Sequence, residues 1–266
     1  MKFKFTIQQY QTDAVESTVN IFSGQKFHSS ITFRQDLGDL NLPSYGQRNP
    51  ELNLDSEELL ENIRSIQKKN EIKQSIKLIP SQGLGACVLD IEMETGTGKT
   101  YVYIKTMFEL KRQYGWKKFI VVVPTVAIRE GVAKSFAMLE DHFMELYGEK
   151  ARYFVYNSKQ LNDIAAFADN NALSVMIINM QAFSASLKPD GTQKDAKVIN
   201  SERDAFGSRR PIDVIADTSP ILILDEPQKL EGAATLNGMK SFKPLFTLNY
   251  SATHKTKHNL VYALRC

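Results

Sequence analysis

Two stretches of this 266-residue chain hold residues whose types and spacing suit chemistry on a phosphate. The first is Thr95-Gly96-Thr97-Gly98-Lys99-Thr100. An apolar run, Val88 to Met93, precedes it, and an amphipathic run from Lys99 to about Tyr114 follows. Strand, glycine turn and helix in that order make an anion cradle, because the N–H groups of the turn and the positive end of the helix converge. Gly96 and Gly98 leave the backbone open to close approach. Lys99 is placed to reach the β- and γ-phosphates of a nucleotide, and the Thr100 hydroxyl to ligate Mg²⁺. The commoner form of this loop opens on a glycine where this chain has Met93; the remainder is intact.

The second stretch is Asp225-Glu226-Pro227-Gln228, at the end of the apolar run Ile221 to Leu224. Two adjacent acids emerging from a core strand cannot stay ionised cheaply unless a cation answers them. Carboxyl ends of parallel strands are where such sheets bind ligands. Asp225 is therefore expected in the Mg²⁺ shell, with Glu226 polarising the attacking water. Two further groups sit beside these stretches. Ser251-Ala252-Thr253-His254 ends a run from about Leu245 to Tyr250, and its hydroxyls suit a relay out of the nucleotide site. His254 has no partner in the sequence and is expected on the surface. Gln11, in Gln9-Tyr10-Gln11, carries an amide able to pair with N6 and N7 of adenine; a solvent-facing glutamine is the alternative.

Hydrophobic periodicity supplies the elements that must position these groups. Helical spacing runs from Thr6 to Phe22. Residues 23 to 55 are punctuated by Gly24, Gly38, Pro43, Gly46 and Pro50 and read as irregular, either an ordered insertion or a mobile segment. A helix is predicted from Asp55 to about Lys69, opened by a capping box of Asp55 and Glu58. Gly115 caps the cradle helix. Strands are predicted at Phe119–Val123, Arg152–Tyr156 and Val175–Asn179, with helices at Val126–Tyr147 and Leu161–Ala168 between them. Ser186 to Asp217 is polar and reads as a surface excursion in which Arg209-Arg210 is a solvated pair or a phosphate contact. The alternation implies an α/β domain, a mainly parallel sheet with helices on both faces.

Composition excludes several classes. The net charge of +3 is too small to argue for nucleic acid by itself, and 42% apolar with 24% charged residues is ordinary for a globular chain. No apolar run approaches the ~18 residues that span a bilayer, so no membrane partner and a cytoplasmic location are expected. Cys87 and Cys266 lack metal or redox spacing, and Cys87 reads as a core residue. Glu71-Ile72-Lys73 imitates a metal-nuclease triplet. That chemistry needs Glu71 and Lys73 on one face of a strand, whereas here they trail a charged helix end.

Taken together, these motifs resemble the restriction subunit of type III restriction–modification enzymes, within helicase superfamily 2. The carriers are Tyr10-Gln11, Met93 to Thr100 (motif I), Pro124-Thr125-Val126-Ala127-Ile128-Arg129-Glu130-Gly131 (motif Ia), Asp225 to Gln228 (motif II) and Tyr250 to His254 (motif III). Val175 to Phe183, with Gln181, resembles the family's DNA-facing strand and loop. The resemblance implies a RecA-like P-loop domain over residues 1–266, with residues 23–85 as connection and insertion before motif I. It implies ATP and Mg²⁺ as cofactors, bound through Gln11, Thr95, Gly96, Thr97, Gly98, Lys99 and Thr100, with Asp225 and Glu226 catalytic alongside Lys99. Double-stranded DNA would meet or be coupled through Pro124, Thr125, Arg129, Gln181, Ser251 and Thr253, and a methyltransferase (modification) subunit is the implied partner. The family's second RecA-like domain and its nuclease domain are not found in these residues. The chain is accordingly read as a fragment that binds ATP, hydrolyses it poorly and does not cut DNA. Another superfamily 2 helicase, a type I restriction motor and a stand-alone nucleotide-binding switch are the alternatives.

Overall fold

Strand alternation sorts the core into two layers. On β3 (Val88–Glu92), Leu89 and Ile91 face one side of a sheet while Val88 faces the other; on β4 (Lys118–Val123), Phe119, Val121 and Val123 oppose Ile120 and Val122. A computed structural model describes residues 6–35, 44–179, 198–230, 232–255 and 258–264. Its main sheet has seven strands in the order β5-β6-β4-β7-β8-β3-β9, and every neighbouring pair is parallel. The other strands are β5 (Arg152–Val155), β6 (Ser174–Asn179), β7 (Ile221–Asp225), β8 (Thr247–Ser251) and β9 (Asn259–Ala263). This is the predicted α/β architecture, a parallel sheet with helices on both faces.

Helices α1 (Gln9–Val19), α2 (Ser56–Lys69), α3 (Lys99–Tyr114) and α4 (Val126–Tyr147) cover one face; α5 (Asn162–Asp169), α6 (Pro211–Ala216) and α7 (Ala233–Ser241) cover the other. The ends of α3 and α4 lie where periodicity put them. The Asp55 carboxylate caps α2 and Glu58 reaches back to the Asp55 N–H, the expected capping box. Gly115 ends α3 at φ +85, and a Cβ there would fall 1.8 Å from the His28 carbonyl oxygen, so no other residue fits. Among the described residues no helix is long and apolar enough to cross a membrane.

Two expectations are corrected. Within 23–55, which reads as irregular, β1 (Ile31–Gln35) and β2 (Ser44–Arg48) pair as an antiparallel hairpin, and buried Asn49 ties the segment to the main sheet. The Asn49 Oδ1 accepts from the N–H groups of Lys117 and Lys118, and its Nδ2 donates to the carbonyls of Lys118 and Ser219. The described part of the polar stretch before Asp217 is not a surface excursion. Ile199, Phe206, Ile212, Val214 and Ile215 are buried against the second face. Their apolar side chains are spaced too sparsely among polar neighbours for periodicity to show. Glu71 lies in a turn at φ 54, off any strand, which removes the nuclease geometry.

Candidate nucleotide-binding site

The cradle is built where β3 runs out. Gly96 and Gly98 adopt φ +87 and +84, a region that costs a side chain but not glycine. Around them lies a cleft of about 680 Å³. Gln11, Thr95, Gly96, Gly98, Lys99, Thr100, Asp225 and Glu226 all line it, and Thr97 joins through its carbonyl, which accepts from Gln11 Nε2 at 3.0 Å and from the Tyr10 hydroxyl at 3.3 Å. A Cβ on Gly98 would sit 2.6 Å from Gln11 Nε2, so the glutamine packs against the cradle because no side chain occupies that position. Gln11 is thus turned inward, not toward solvent.

Sheet order brings the two motifs together. Lys99 Nζ lies 3.1 Å from Glu226 Oε1 and donates to the Met93 carbonyl at 3.2 Å. Glu226 holds a left-handed backbone, φ 57 and ψ 58, a conformation that costs a non-glycine residue on the order of 1 kcal/mol and concentrates at functional sites. Burial pushes its carboxyl up, but hydrogen bonds from Lys99 and Gln228 and the charges of Lys99 and Lys229 outweigh this, and the group sits below its ordinary value. Its neighbour behaves oppositely. Asp225 is 6% exposed, and burial, then the Glu226 charge, raise its carboxyl to about 6 against the partial relief given by Lys99 and Tyr103.

Tyr103 was not anticipated. It stands one turn after Thr100 on α3, and its hydroxyl is buried beside Asp225 and Thr100. Helical spacing from Thr100 is the sequence signal that could have found it. Ile128, Ser135, Met138 and Leu139 of α4 also line the cleft, again without a sequence cue.

The donor chemistry suits a hydrated Mg²⁺. No group of three or more His, Cys, Asp or Glu side chains among the described residues forms a complete metal site. Mg²⁺ needs none, since it keeps several waters and takes one or two protein oxygens plus phosphate. A buried carboxylate with a raised pKa beside a threonine hydroxyl is the environment a cation would relieve.

The motif III and motif Ia residues divide. Ser251 is buried; its hydroxyl lies 2.7 Å from Gln228 Oε1, and Gln228 Nε2 donates to Glu226 Oε2. Thr253 is exposed. Thr125 caps α4, its hydroxyl accepting from the Ile128 N–H at 3.3 Å, while Pro124 before it is buried. Arg129 is held by Glu130 and by Asn179 Oδ1 at the end of β6. Gln181 lies outside the described residues. Arg209 and Arg210, read as a solvated pair or a phosphate contact, are ion-paired with Asp217 and Asp213. His254 is a correction: its side chain is 3% exposed and sits against Asp90.

Comparison with known proteins gives a family. A profile for the type III restriction enzyme res subunit matches residues 4–256. The EcoP15I Res subunit of Escherichia coli is 29% identical over 98% of this chain and 27% of its own length, and the EcoPI Res subunit of Escherichia phage P1 is 27% identical over 96% and 26%. The chain therefore spans about a quarter of the length of these relatives. Among solved structures, the UvsW helicase from bacteriophage T4 aligns at a TM-score of 0.36 and 14% identity, covering 77% of this chain and 62% of that one, too loose a likeness to argue from. With a match running through every motif from the Gln11 helix to motif III, this chain belongs to the type III restriction enzyme res subunit family.

Proposed function

We propose that these residues form the ATP-binding half of a DNA-translocating motor in a type III restriction enzyme. The observation that carries this is the 3.1 Å contact between Lys99 and Glu226, which joins the phosphate-reaching cation to the water-polarising acid across the cradle. The turn N–H groups and Lys99 bind the phosphates, Gln11 reads adenine, and Thr100 with Asp225 would hold Mg²⁺, which supplies charge neutralisation at the phosphates. Glu226 orients the attacking water and takes its proton, as its ionised state at neutral pH allows.

Coupling to DNA runs along two routes. The N–H groups at the start of α4, Thr125 and Arg129 meet phosphates of a duplex. Ser251 reports on Glu226 through Gln228. Double-stranded DNA and a methyltransferase subunit are the partners this reading gives, with the cytoplasm as its place of work. Among the described residues that line the cleft the cations are Lys99 and Lys229, with no arginine. An arginine from another domain, which is worth about 10³–10⁵ in related hydrolases, would raise turnover further.

The test is ATP binding and turnover, with and without duplex DNA, for the wild type and Lys99→Ala. Binding that the substitution abolishes, and turnover that is slow but rises with duplex, are the expected results. Turnover indifferent to DNA would favour a nucleotide-binding switch, and binding that survives Lys99→Ala would overturn the cradle.

A further inference from the structure

Behind motif III, on the sheet face away from the nucleotide cleft, is a buried carboxylate that the reading above does not use. Asp90, in the middle of β3, is 2% exposed. Its Oδ1 accepts from Asn249 Nδ2 at 2.8 Å and its Oδ2 from the His258 N–H at 2.8 Å. Two imidazoles flank the same group: His258 Nδ1 is 3.3 Å and His254 Nδ1 is 3.6 Å from Oδ1, the second at ion-pair rather than hydrogen-bond range. Asn249 Oδ1 and His254 Nε2 are buried with no hydrogen-bond partner among the described residues. Asp90 is therefore the group on which the Asn249 and His254 side chains converge, with Asn249 Nδ2 also 3.4 Å from His258 Nδ1.

Position in the chain gives this cluster its meaning. Asn249 comes two residues before Ser251, and His254 three after it, so Asp90 grips the chain on both sides of the motif III serine. Ser251 in turn contacts Gln228, and Gln228 contacts Glu226. The alternative, a carboxylate that only fills the core, would leave no reason for an ionisable group in a strand of Val, Leu and Ile, where removal from water is costly. A cavity of about 280 Å³ borders His254, His258, Asn249 and Gln228, so the segment has room to shift if the grip is lost.

We propose that Asp90 is a positioning residue: it fixes the motif III segment through Asn249, His254 and His258, and thereby sets Ser251 against Gln228 and Glu226 for the nucleotide reaction. This rests on the motor reading, and two readouts separate the failure of one from the failure of the other. The first needs no activity. The Gln228 side-chain amide gives its own ¹H–¹⁵N signal, which Asp90→Asn is expected to shift in the nucleotide-free protein, where no turnover takes place. The second is steady-state ATP turnover, in which misplacement transmitted to the water-orienting acid lowers kcat about 10–100-fold, with KM for ATP expected within about threefold because the cradle is untouched. Because the residues act in series, Asp90→Asn and Ser251→Ala together should cost little more than either alone. His254→Gln, which leaves the Asn249 and His258 hydrogen bonds in place, covers the case in which the Asp90 change unfolds the chain, with a smaller shift in the same signal. An unmoved Gln228 amide, an unchanged kcat or additive losses would overturn the proposal. Retention of ATP binding by Lys99→Ala would defeat the motor reading and leave the amide result standing on its own.

Discussion

Asp225 and Asp90 are both buried aspartates in adjacent rows of one sheet, and they face opposite sides. Asp225 pairs in register with Tyr250, while Asp90 pairs with Asn249 one residue earlier. Asp90 receives two hydrogen bonds at 2.8 Å, one of them from backbone, with two imidazoles beside it. Asp225 has a carboxylate neighbour, and its pKa rises to about 6. One charge is answered by the fold; the other is held in a state that a ligand would improve. The difference teaches that burial alone does not mark a reactive acid. What marks it is burial without full compensation.

The largest expected effect lies at the uncompensated end. Glu226→Gln keeps the hydrogen bond geometry but removes the base, and should lower ATP turnover by about 10²–10⁴ while nucleotide binding persists; equilibrium binding beside single-turnover kinetics would check both halves. Loss of binding instead would mean that Glu226 holds Lys99 in place more than it activates water.

Stability should then separate the two aspartates by sign. Asp90→Asn gives up charge-assisted hydrogen bonds and should cost about 2–3 kcal/mol. For Asp225 the folded-state value lies above the ordinary 3.8, so between pH 4 and 6 the folded chain keeps a proton that the unfolded chain has released, and stability falls as pH rises through that window. Asp225→Asn removes the penalty and should stabilise the nucleotide-free protein by about 2 kcal/mol at pH 7, with the gain disappearing below pH 4. Urea melts of both variants across pH 4 to 8 decide it; two destabilised variants would erase the contrast.

The smallest effect belongs to a residue that touches neither aspartate. Thr125→Ala loses the α4 cap and should cost about 1 kcal/mol or less, while weakening duplex affinity at low salt more than ATP affinity. A Thr125 variant that lowered ATP affinity as well would mean that motif Ia and the nucleotide cleft are one unit.

Much of this was legible before any coordinates. The cradle, its two glycines and the ends of α3 and α4 follow from local spacing, as do the capping box at Asp55 and the acids after β7. Asp90 was not legible, since a lone Asp in an apolar strand has no pattern of its own and its partners Asn249 and His258 lie 159 and 168 residues away. His254 was expected at the surface for the same reason: the group it sits against is invisible from its own segment. The β1–β2 hairpin was hidden by the glycines and prolines of 23–55, and α6 by the polar residues around a short helix.

The sequence by itself determined the local pattern: a glycine turn between strand and helix, a pair of acids at a strand end, and strands whose alternation demands cover on both faces. Those signals are short-range, because backbone conformation and side-chain periodicity depend on near neighbours. Only the tertiary structure decided that β8 lies between β7 and β3, so that Asp225 and Asp90 stand one row apart across the sheet. Strand order is settled by how whole layers bury one another, and it alone brings Lys99 to Glu226 and Asp90 to both sides of Ser251.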